Sequence, residues 1–199
     1  MKPLKTIQKL EKGSAVTIVG LGDSLTNGWM AGKGYFERFE DLLRDRYKNC
    51  VLETVNRGIP GDTAHGGLYR LDTDVIMYSP DAALIQFGLN DAFMGCPIEQ
   101  FTKNIQAMID RISGETNAEI VLLTSVCLMD PRMERMINDF YDALVSLAEK
   151  NSLPVARVHE YWRRKLNEGL LFRNLIQIDG VHPNDAGHGI MAEAVMEIF

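Results

Sequence analysis

Ser24 is the first residue whose type and position suggest chemistry. It follows an apolar run at residues 15–19 through the glycine-rich segment Gly20-Leu21-Gly22-Asp23. A serine hydroxyl becomes a nucleophile only when a neighbouring base takes its proton. A lone serine at the end of a strand is more typical of a turn or a helix N-cap, so chemistry at Ser24 depends on whether the chain supplies a base.

His182 is the best placed of the four histidines to act as that base. It stands three residues after Asp179 in the turn-forming segment Asp179-Gly180-Val181-His182-Pro183. This spacing lets the carboxylate fold back onto Nδ1 of the imidazole and leaves Nε2 free to accept a serine proton. An Asx turn with an exposed histidine is the alternative that the spacing alone leaves open. The remaining histidines lie in an expected loop, at the end of an expected strand and inside an expected helix: His65, His159 and His188.

Attack by serine on a carbonyl carbon also requires hydrogen-bond donors for the negative charge that develops on the carbonyl oxygen. The candidates that follow expected strands are the backbone N–H groups of Ser24 and Gly61 and the side-chain amide of Asn90. Because glycine lacks a Cβ, the backbone at Gly61 could approach a ligand closely. Taken singly, Gly61 and Asn90 are typical turn residues, so their interpretation depends on the nucleophile and base.

The elements that must position these residues are short β-branched runs alternating with amphipathic stretches. The pattern predicts strands at residues 15–19, 51–55, 82–87, 119–124 and 155–158, and helices at residues 35–47, 66–77, 98–112, 133–150 and 184–198. Such alternation is typical of an α/β sandwich with a mostly parallel sheet. Ligands of these sheets bind outside the carboxyl ends of the strands, so the polar, glycine-rich segments after the first three strands are expected site loops.

Composition and charge exclude several classes of protein. The net charge is −6 and the only dense basic run is Arg163-Arg164-Lys165, which argues against a nucleic-acid partner. Residues 1–12 contain no apolar signal-peptide core, and no run reaches the ~18 apolar residues that a membrane span needs. The three cysteines lack basic neighbours and do not suggest a disulfide framework, so we expect a reducing, cytoplasmic location.

Other chemistries fit the sequence less well. Leu25 stands where a dinucleotide-binding loop needs its third glycine, and Gly34 stands where a phosphate-binding loop needs serine or threonine. Thr26 replaces the last glycine of the Gly-x-Ser-x-Gly elbow. His182 and His188 could in principle share a metal, but His188 is more simply a helix surface or packing residue. We therefore expect no cofactor and no metal.

Four blocks of the chain resemble the SGNH hydrolase superfamily, also called GDSL esterases or lipases. The blocks occur in family order and span nearly the whole chain: Gly22-Asp23-Ser24-Leu25, Gly61-Asp62-Thr63, Gly88-Leu89-Asn90-Asp91 and Asp179-Gly180-Val181-His182. The resemblance implies a three-layer α/β/α sandwich with a five-stranded parallel sheet, flavodoxin-like and of the SGNH hydrolase type. We expect residues 1–199 to form a single such domain.

The resemblance also implies a role for each candidate residue. Ser24 would be the nucleophile, and His182 would be general base and then general acid, oriented by Asp179. The Ser24 and Gly61 amides and the Asn90 side chain would form the oxyanion hole. The aspartates of the same blocks are interpreted as shaping their loops through hydrogen bonds: Asp23, Asp62 and Asp91.

The implied activity is that of a serine ester hydrolase acting on a small-molecule ester. The chain has no long insertion to form a lid, which favours short acyl groups, as in deacetylation of carbohydrates. A lysophospholipase or thioesterase acting on longer acyl chains is the alternative, and an inert acyl- or glycan-binding protein is the alternative from another class. Trp29, Phe93 and Met94 follow two site loops and either line a substrate pocket or pack in the core or at the rim. The sequence does not indicate an oligomeric state.

Overall fold

Five parallel strands form the centre of the molecule in a computed structural model that describes residues 1–199. They pair in one sheet, and each pairing is parallel. Strand β3 is buried along its whole length, as expected for a parallel strand covered on both faces. The strands are β1 Ala15–Gly22, β2 Val51–Gly58, β3 Ala82–Gln86, β4 Glu119–Leu123 and β5 Val155–Ala156.

The order of the strands creates a crevice at one edge of the sheet. The order is β2-β1-β3-β4-β5, so the winding reverses between β1 and β3. At such a switch point the loops after the two strands diverge and leave space for a ligand at the carboxyl ends. Ser24 follows β1 and Asn90 follows β3, so these two residues flank the crevice.

Helices cover the sheet in two groups. Helix α10 contacts α3 and α9, whereas α7 contacts α4 and α8. Together with the sheet they form a three-layer α/β/α sandwich with a five-stranded parallel sheet, which confirms the fold that the family resemblance implied. No helix combines the length and the apolar character needed to cross a membrane. The helices are α1 Leu4–Glu11, α2 Ser24–Asn27, α3 Tyr35–Arg46, α4 Ala64–Tyr69, α5 Leu71–Asp74, α6 Leu89–Phe93, α7 Ile98–Glu115, α8 Pro131–Lys150, α9 Val158–Asn167 and α10 Asp185–Met196.

One contiguous core of 52 buried residues joins the sheet to both helical layers. Helix α3 contributes Tyr35, Phe36, Phe39 and Leu43, which recur at the spacing of one helical face. Phe39 packs edge-on against Phe199 with ring centroids 4.9 Å apart. Such close packing resists deformation, so α3 and the C-terminal residue are held firmly against the core.

Several element boundaries differ from those predicted. Strands β1 and β2 extend through glycines to Gly22 and Gly58, because the paired backbones continue to the sheet edge. The predicted strand at residues 155–158 ends at Ala156, and His159 lies in helix α9 rather than at a strand end. A run as short as Val155-Ala156-Arg157-Val158 cannot distinguish a strand from the start of a helix.

The predicted helix at residues 66–77 is instead divided into α4, α5 and a 3₁₀ turn at Ile76–Tyr78. His65, expected in a loop, lies in α4. Helix α1 was not predicted. Its short amphipathic pattern, with only Ile7 and Leu10 as buried apolar side chains, is a weak signal in sequence.

Candidate active site

Ser24 opens the short helix α2 where β1 ends. The Asp23 carboxylate caps this helix by accepting a hydrogen bond from the Leu25 amide at 2.9 Å. At Gly22 a Cβ would lie 2.2 Å from Thr26 Oγ1. The missing side chain at Gly22 therefore lets the helix turn tightly over the strand end and holds Ser24 at the carboxyl edge of the sheet.

The structure brings Ser24, His182 and Asp179 into one hydrogen-bonded chain. Ser24 Oγ and His182 Nε2 are 2.9 Å apart, although 158 residues separate them. His182 Nδ1 lies 2.7 Å from Asp179 Oδ2. A carboxylate only accepts hydrogen bonds, so Nδ1 carries the proton and Nε2 is the acceptor for the serine hydroxyl. The arrangement can remove a proton from Ser24 during nucleophilic attack.

The Asp179 carboxylate is held by its own loop. Its Oδ1 accepts the backbone N–H groups of Val181 and His182, both at 2.9 Å. Partial burial pushes the pKa of Asp179 upward, but these two amides and the imidazole outweigh it, so the pKa lies below its ordinary value. Asp179 is consequently ionised at neutral pH and can stabilise an imidazolium on His182.

The loops that carry Gly61 and Asn90 are joined to each other. Asn90 Nδ2 donates to the backbone carbonyl of Asp62 at 2.8 Å, which leaves a second N–H on the same amide. Gly61 has a φ of 80°, and no heavy atom lies within 4 Å of the position of a Cβ. Ile59 N–H donates to the Gly22 carbonyl at 3.0 Å and so ties this loop to the end of β1. The segments that carry two of the predicted oxyanion donors, Gly61 and Asn90, are therefore hydrogen-bonded to each other. They lie beside the end of β1, which leads directly to the third predicted donor, Ser24.

A network of buried polar side chains adjoins Ser24 and was not predicted from the sequence. Gln86 Nε2 donates to Asp23 Oδ2 at 3.1 Å, while Gln86 Oε1 accepts from Thr26 Oγ1 at 2.8 Å. Thr26 Oγ1 is also 3.0 Å from the Tyr35 hydroxyl. Burial raises the pKa of Asp23 to about 7, against the lowering by its hydrogen bonds from Leu25 and Gln86. The only signal in the sequence was a glutamine at the end of an otherwise apolar strand.

The other two block aspartates also bind loop amides. Asp91 accepts the Ala64 N–H at 3.1 Å and the Gly88 N–H at 3.2 Å, and burial raises its pKa despite these bonds. Asp62 Oδ1 accepts the Thr63 N–H at 2.9 Å. These contacts support the interpretation that the aspartates shape the site loops.

His188 belongs to the packing of α10 rather than to the site. It is fully buried, and its Nδ1 accepts the Tyr35 N–H at 3.1 Å, which joins α10 to α3. Burial lowers the pKa of His188 to about 4, so the ring is neutral and can act as this acceptor. No group of three or more His, Cys, Asp or Glu side chains is arranged to hold a metal ion. The expectation of a reaction without metal or cofactor stays a prediction.

Apolar side chains lie beside the Asp179 loop and after the loops that carry Ser24 and Asn90. A cavity of about 450 Å³ adjoins Asp179 and is lined by Leu128, Met129, Met133 and Val181 among others. The side chains that follow two of the site loops are partly exposed rather than part of the core: Trp29 at 44%, Phe93 at 38% and Met94 at 68%. These three side chains thus leave apolar surface accessible near the loops of Ser24 and Asn90.

Comparison with known proteins gives one consistent family. The model of the GDSL-like lipase/acylhydrolase family matches residues 21–190. An acetylxylan esterase from Geobacillus stearothermophilus is 28% identical over 92% of this chain and 94% of its own. Esterase TesA from Pseudomonas aeruginosa is 27% identical over 93% of this chain and 88% of its own.

Solved structures agree on the fold. A catalytic mutant of the acetylxylan esterase Axe2 from Geobacillus stearothermophilus superposes with a TM-score of 0.84 at 22% identity, covering 94% of this chain and 95% of that one. An alpha/beta hydrolase from the metagenome of Lake Arreo, Spain, gives a TM-score of 0.80 at 22% identity, covering 92% of this chain and 94% of that one. The matched family model covers the segments that carry Ser24, Gly61, Asn90 and His182. The chain therefore belongs to the GDSL-like lipase/acylhydrolase family and is a carboxylic ester hydrolase.

Proposed function

We propose that this hydrolase works through an acyl-enzyme on Ser24, with His182 as base and acid and Asp179 as the orienting carboxylate. The observation that carries the proposal is the hydrogen-bonded chain from Asp179 through His182 to Ser24, with distances of 2.7 and 2.9 Å. Both distances lie within the range that proton transfer requires. An inert binding protein would have no need for all three groups in this geometry.

In the first half of the reaction, Ser24 Oγ attacks the ester carbonyl carbon while its proton moves to His182 Nε2. The carbonyl oxygen becomes an oxyanion, which accepts hydrogen bonds from the Ser24 and Gly61 amides and from the Asn90 side chain. Collapse of this intermediate breaks the bond to the alcohol oxygen, which takes the proton from Nε2.

In the second half, water attacks the acyl-enzyme and gives a proton to the same nitrogen. The second oxyanion accepts hydrogen bonds from the same donors. When it collapses, the bond between Ser24 Oγ and the acyl carbon breaks, and Ser24 recovers its proton from His182. The products are a carboxylic acid and the alcohol, so atoms and charge balance without a cofactor.

For the substrate we propose a short-acyl ester, such as an acetylated carbohydrate. The exposed side chains of Trp29, Phe93 and Met94, which follow the loops of Ser24 and Asn90, suit a substrate whose alcohol part extends into solvent. The acetylxylan esterase relative, aligned over 92% of this chain, supports the same choice.

A second candidate is hydrolysis of longer acyl chains, as by a lysophospholipase or thioesterase. The observation that favours it is the cavity of about 450 Å³ beside Asp179, whose apolar lining includes Leu128, Met133 and Val181. Such a lining is typical of pockets that bury apolar ligand groups.

Hydrolysis of p-nitrophenyl esters from acetate to palmitate tests the mechanism and separates the two substrates. We expect turnover that is greatest at acetate or butyrate and is lost in Ser24→Ala, with Ser14→Ala, an exposed serine outside the site, as the matched control. A maximum at long chains would replace the short-acyl proposal by the alternative. Hydrolysis that persists in Ser24→Ala would contradict the mechanism.

We also propose a reducing, cytoplasmic location. All three cysteines are free thiols, and burial raises the pKa of Cys127 to about 12, which makes it unreactive. Fractionation of the native host, with detection by antibody, tests this location, and recovery outside the cytoplasmic fraction would contradict it.

A further inference from the structure

Arg70 is a largely buried arginine whose whole guanidinium group is engaged. Its Nε donates to Asp62 Oδ2 at 2.8 Å, and its Nη1 donates to the Arg57 carbonyl at 2.8 Å and to Asp74 Oδ2 at 2.5 Å. Its Nη2 donates to the Gly22 carbonyl at 3.0 Å. Only 13% of the side chain is exposed. No motif in the sequence includes this residue.

The partners of Arg70 are the segments that carry the proposed oxyanion donors. Gly22 ends β1 and precedes the nucleophile by two residues, and Arg57 lies near the end of β2. Asp62 follows Gly61, and its carbonyl accepts the Asn90 amide at 2.8 Å. One guanidinium group therefore fixes two strand ends and one loop, and through Asp62 it also orients Asn90.

Stability alone is a poor explanation for this arrangement. Burying a cation and its carboxylate partners costs desolvation energy, and a well-packed apolar group is often equally stabilising. Arginine is distinguished from other side chains by its planar fork, which directs several N–H groups at fixed angles. At Arg70 that fork meets two backbone carbonyls and two carboxylates at once, which lysine's compact ammonium cannot reproduce.

We propose that Arg70 is a positioning residue for the oxyanion hole. It fixes Gly22, the Gly61-Asp62 loop and Asn90 in position relative to one another. The Ser24 and Gly61 amides and the Asn90 side chain can then donate hydrogen bonds to the developing negative charge together. Pre-organised donors matter most where the charge is greatest, in the transition state. Loss of Arg70 should therefore lower kcat far more than it raises KM. The proposal rests on the acyl-enzyme mechanism proposed above.

The test compares Arg70→Lys and Arg70→Met with Arg111→Met. Arg111 is a matched control because it also binds two carboxylates, those of Asp72 and Glu115, but lies outside the site. Titration with a fluorophosphonate counts the reactive serines in each preparation, so that kcat is expressed per functional site. We expect kcat per site to fall about tenfold in Arg70→Lys and about a hundredfold in Arg70→Met, with KM within about threefold and Arg111→Met unchanged.

A double-mutant cycle adds a readout that a purely structural role would not alter. If Arg70 acts through Asn90, Arg70→Lys should cost much less in kcat when Asn90→Ala is already present than in the wild-type background. Additive losses, or an Arg70→Lys enzyme with kcat per titrated site within twofold of wild type, would overturn the positioning role. So would a loss of activity explained wholly by fewer titratable serines. A wild-type enzyme with no titratable serine would instead refute the proposed mechanism itself.

Discussion

At the scale of single residues, Asn90 links the framework of the site to its proposed chemistry. One amide N–H binds the Asp62 carbonyl at 2.8 Å, and this bond fixes the plane of the amide. The second N–H of the same planar group is then aimed in a set direction at no cost of reorganisation during reaction. A side chain held in this way is better suited to stabilise a developing charge than one that must first be ordered.

We expect Asn90→Ala to lower turnover by about a hundredfold or more, because loss of one oxyanion donor costs roughly 3–4 kcal/mol in the barrier. The measurement is kcat on a short-chain p-nitrophenyl ester, with thermal denaturation to verify that the variant folds. Asn117→Ala changes an exposed asparagine in the loop before β4; it is the control and should retain full activity. Unchanged turnover in Asn90→Ala would remove Asn90 from the site.

At the scale of elements, the His182 loop depends on how helix α10 begins. Asn184 caps the helix by accepting the Ala186 and Gly187 amides at 2.9 and 3.1 Å. Its backbone N–H donates to the Leu175 carbonyl at 3.0 Å, so the two ends of the loop are held close together. At Gly187 a Cβ would lie 2.1 Å from that same Leu175 carbonyl oxygen. Because Gly187 has no side chain, its backbone can lie close to the Leu175 carbonyl, and this contact sets the position of the loop that carries His182.

A pair of glycines in α10 provides a test of this arrangement. We expect Gly187→Ala to lower the free energy of unfolding by about 1–3 kcal/mol through overpacking, and to lower kcat because the loop shifts. Gly189→Ala, where a Cβ meets no heavy atom within 4 Å, should raise the free energy of unfolding by up to about 1 kcal/mol. Urea denaturation and ester hydrolysis measure both effects. Equal free energies of unfolding for the two variants would contradict the proposed role of the contact between Gly187 and the Leu175 carbonyl.

At the scale of the whole molecule, the site joins distant parts of one chain. Ser24 and His182 are 158 residues apart in sequence, and both adjoin the same contiguous core of 52 buried residues. A site assembled from both ends of a chain is lost when either end detaches. We propose on this basis that residues 1–199 unfold as a single domain.

Calorimetry tests this proposal. We expect one transition with equal calorimetric and van't Hoff enthalpies, of roughly 140 kcal/mol near 60 °C at about 0.7 kcal/mol per residue. Loss of esterase activity should follow the same transition. Two separable transitions, or inactivation well below the main one, would contradict a single cooperative unit.

The sequence by itself determined the parts of this protein that depend on short spacings. The alternation of short β-branched runs with amphipathic stretches predicted the parallel sheet, because a helix between two strands lets them run in the same direction. The turn at Asp179 and His182 was predictable because a three-residue spacing limits where the carboxylate can lie. Position after expected strands made Ser24, Gly61 and Asn90 candidates, and the family blocks then implied a role for each.

Only the tertiary structure decided which distant groups meet. The 2.9 Å contact between Ser24 and His182 depends on the order of the strands in the sheet and on where α10 packs. No local sequence pattern determines either of these. Arg70 carries no signal in sequence, because an exposed and a buried arginine look alike until their partners are known. The same holds for Gln86, whose hydrogen bonds to Asp23 and Thr26 require β3 to lie beside β1. Long-range hydrogen bonds arise from packing, and packing is a property of the whole chain.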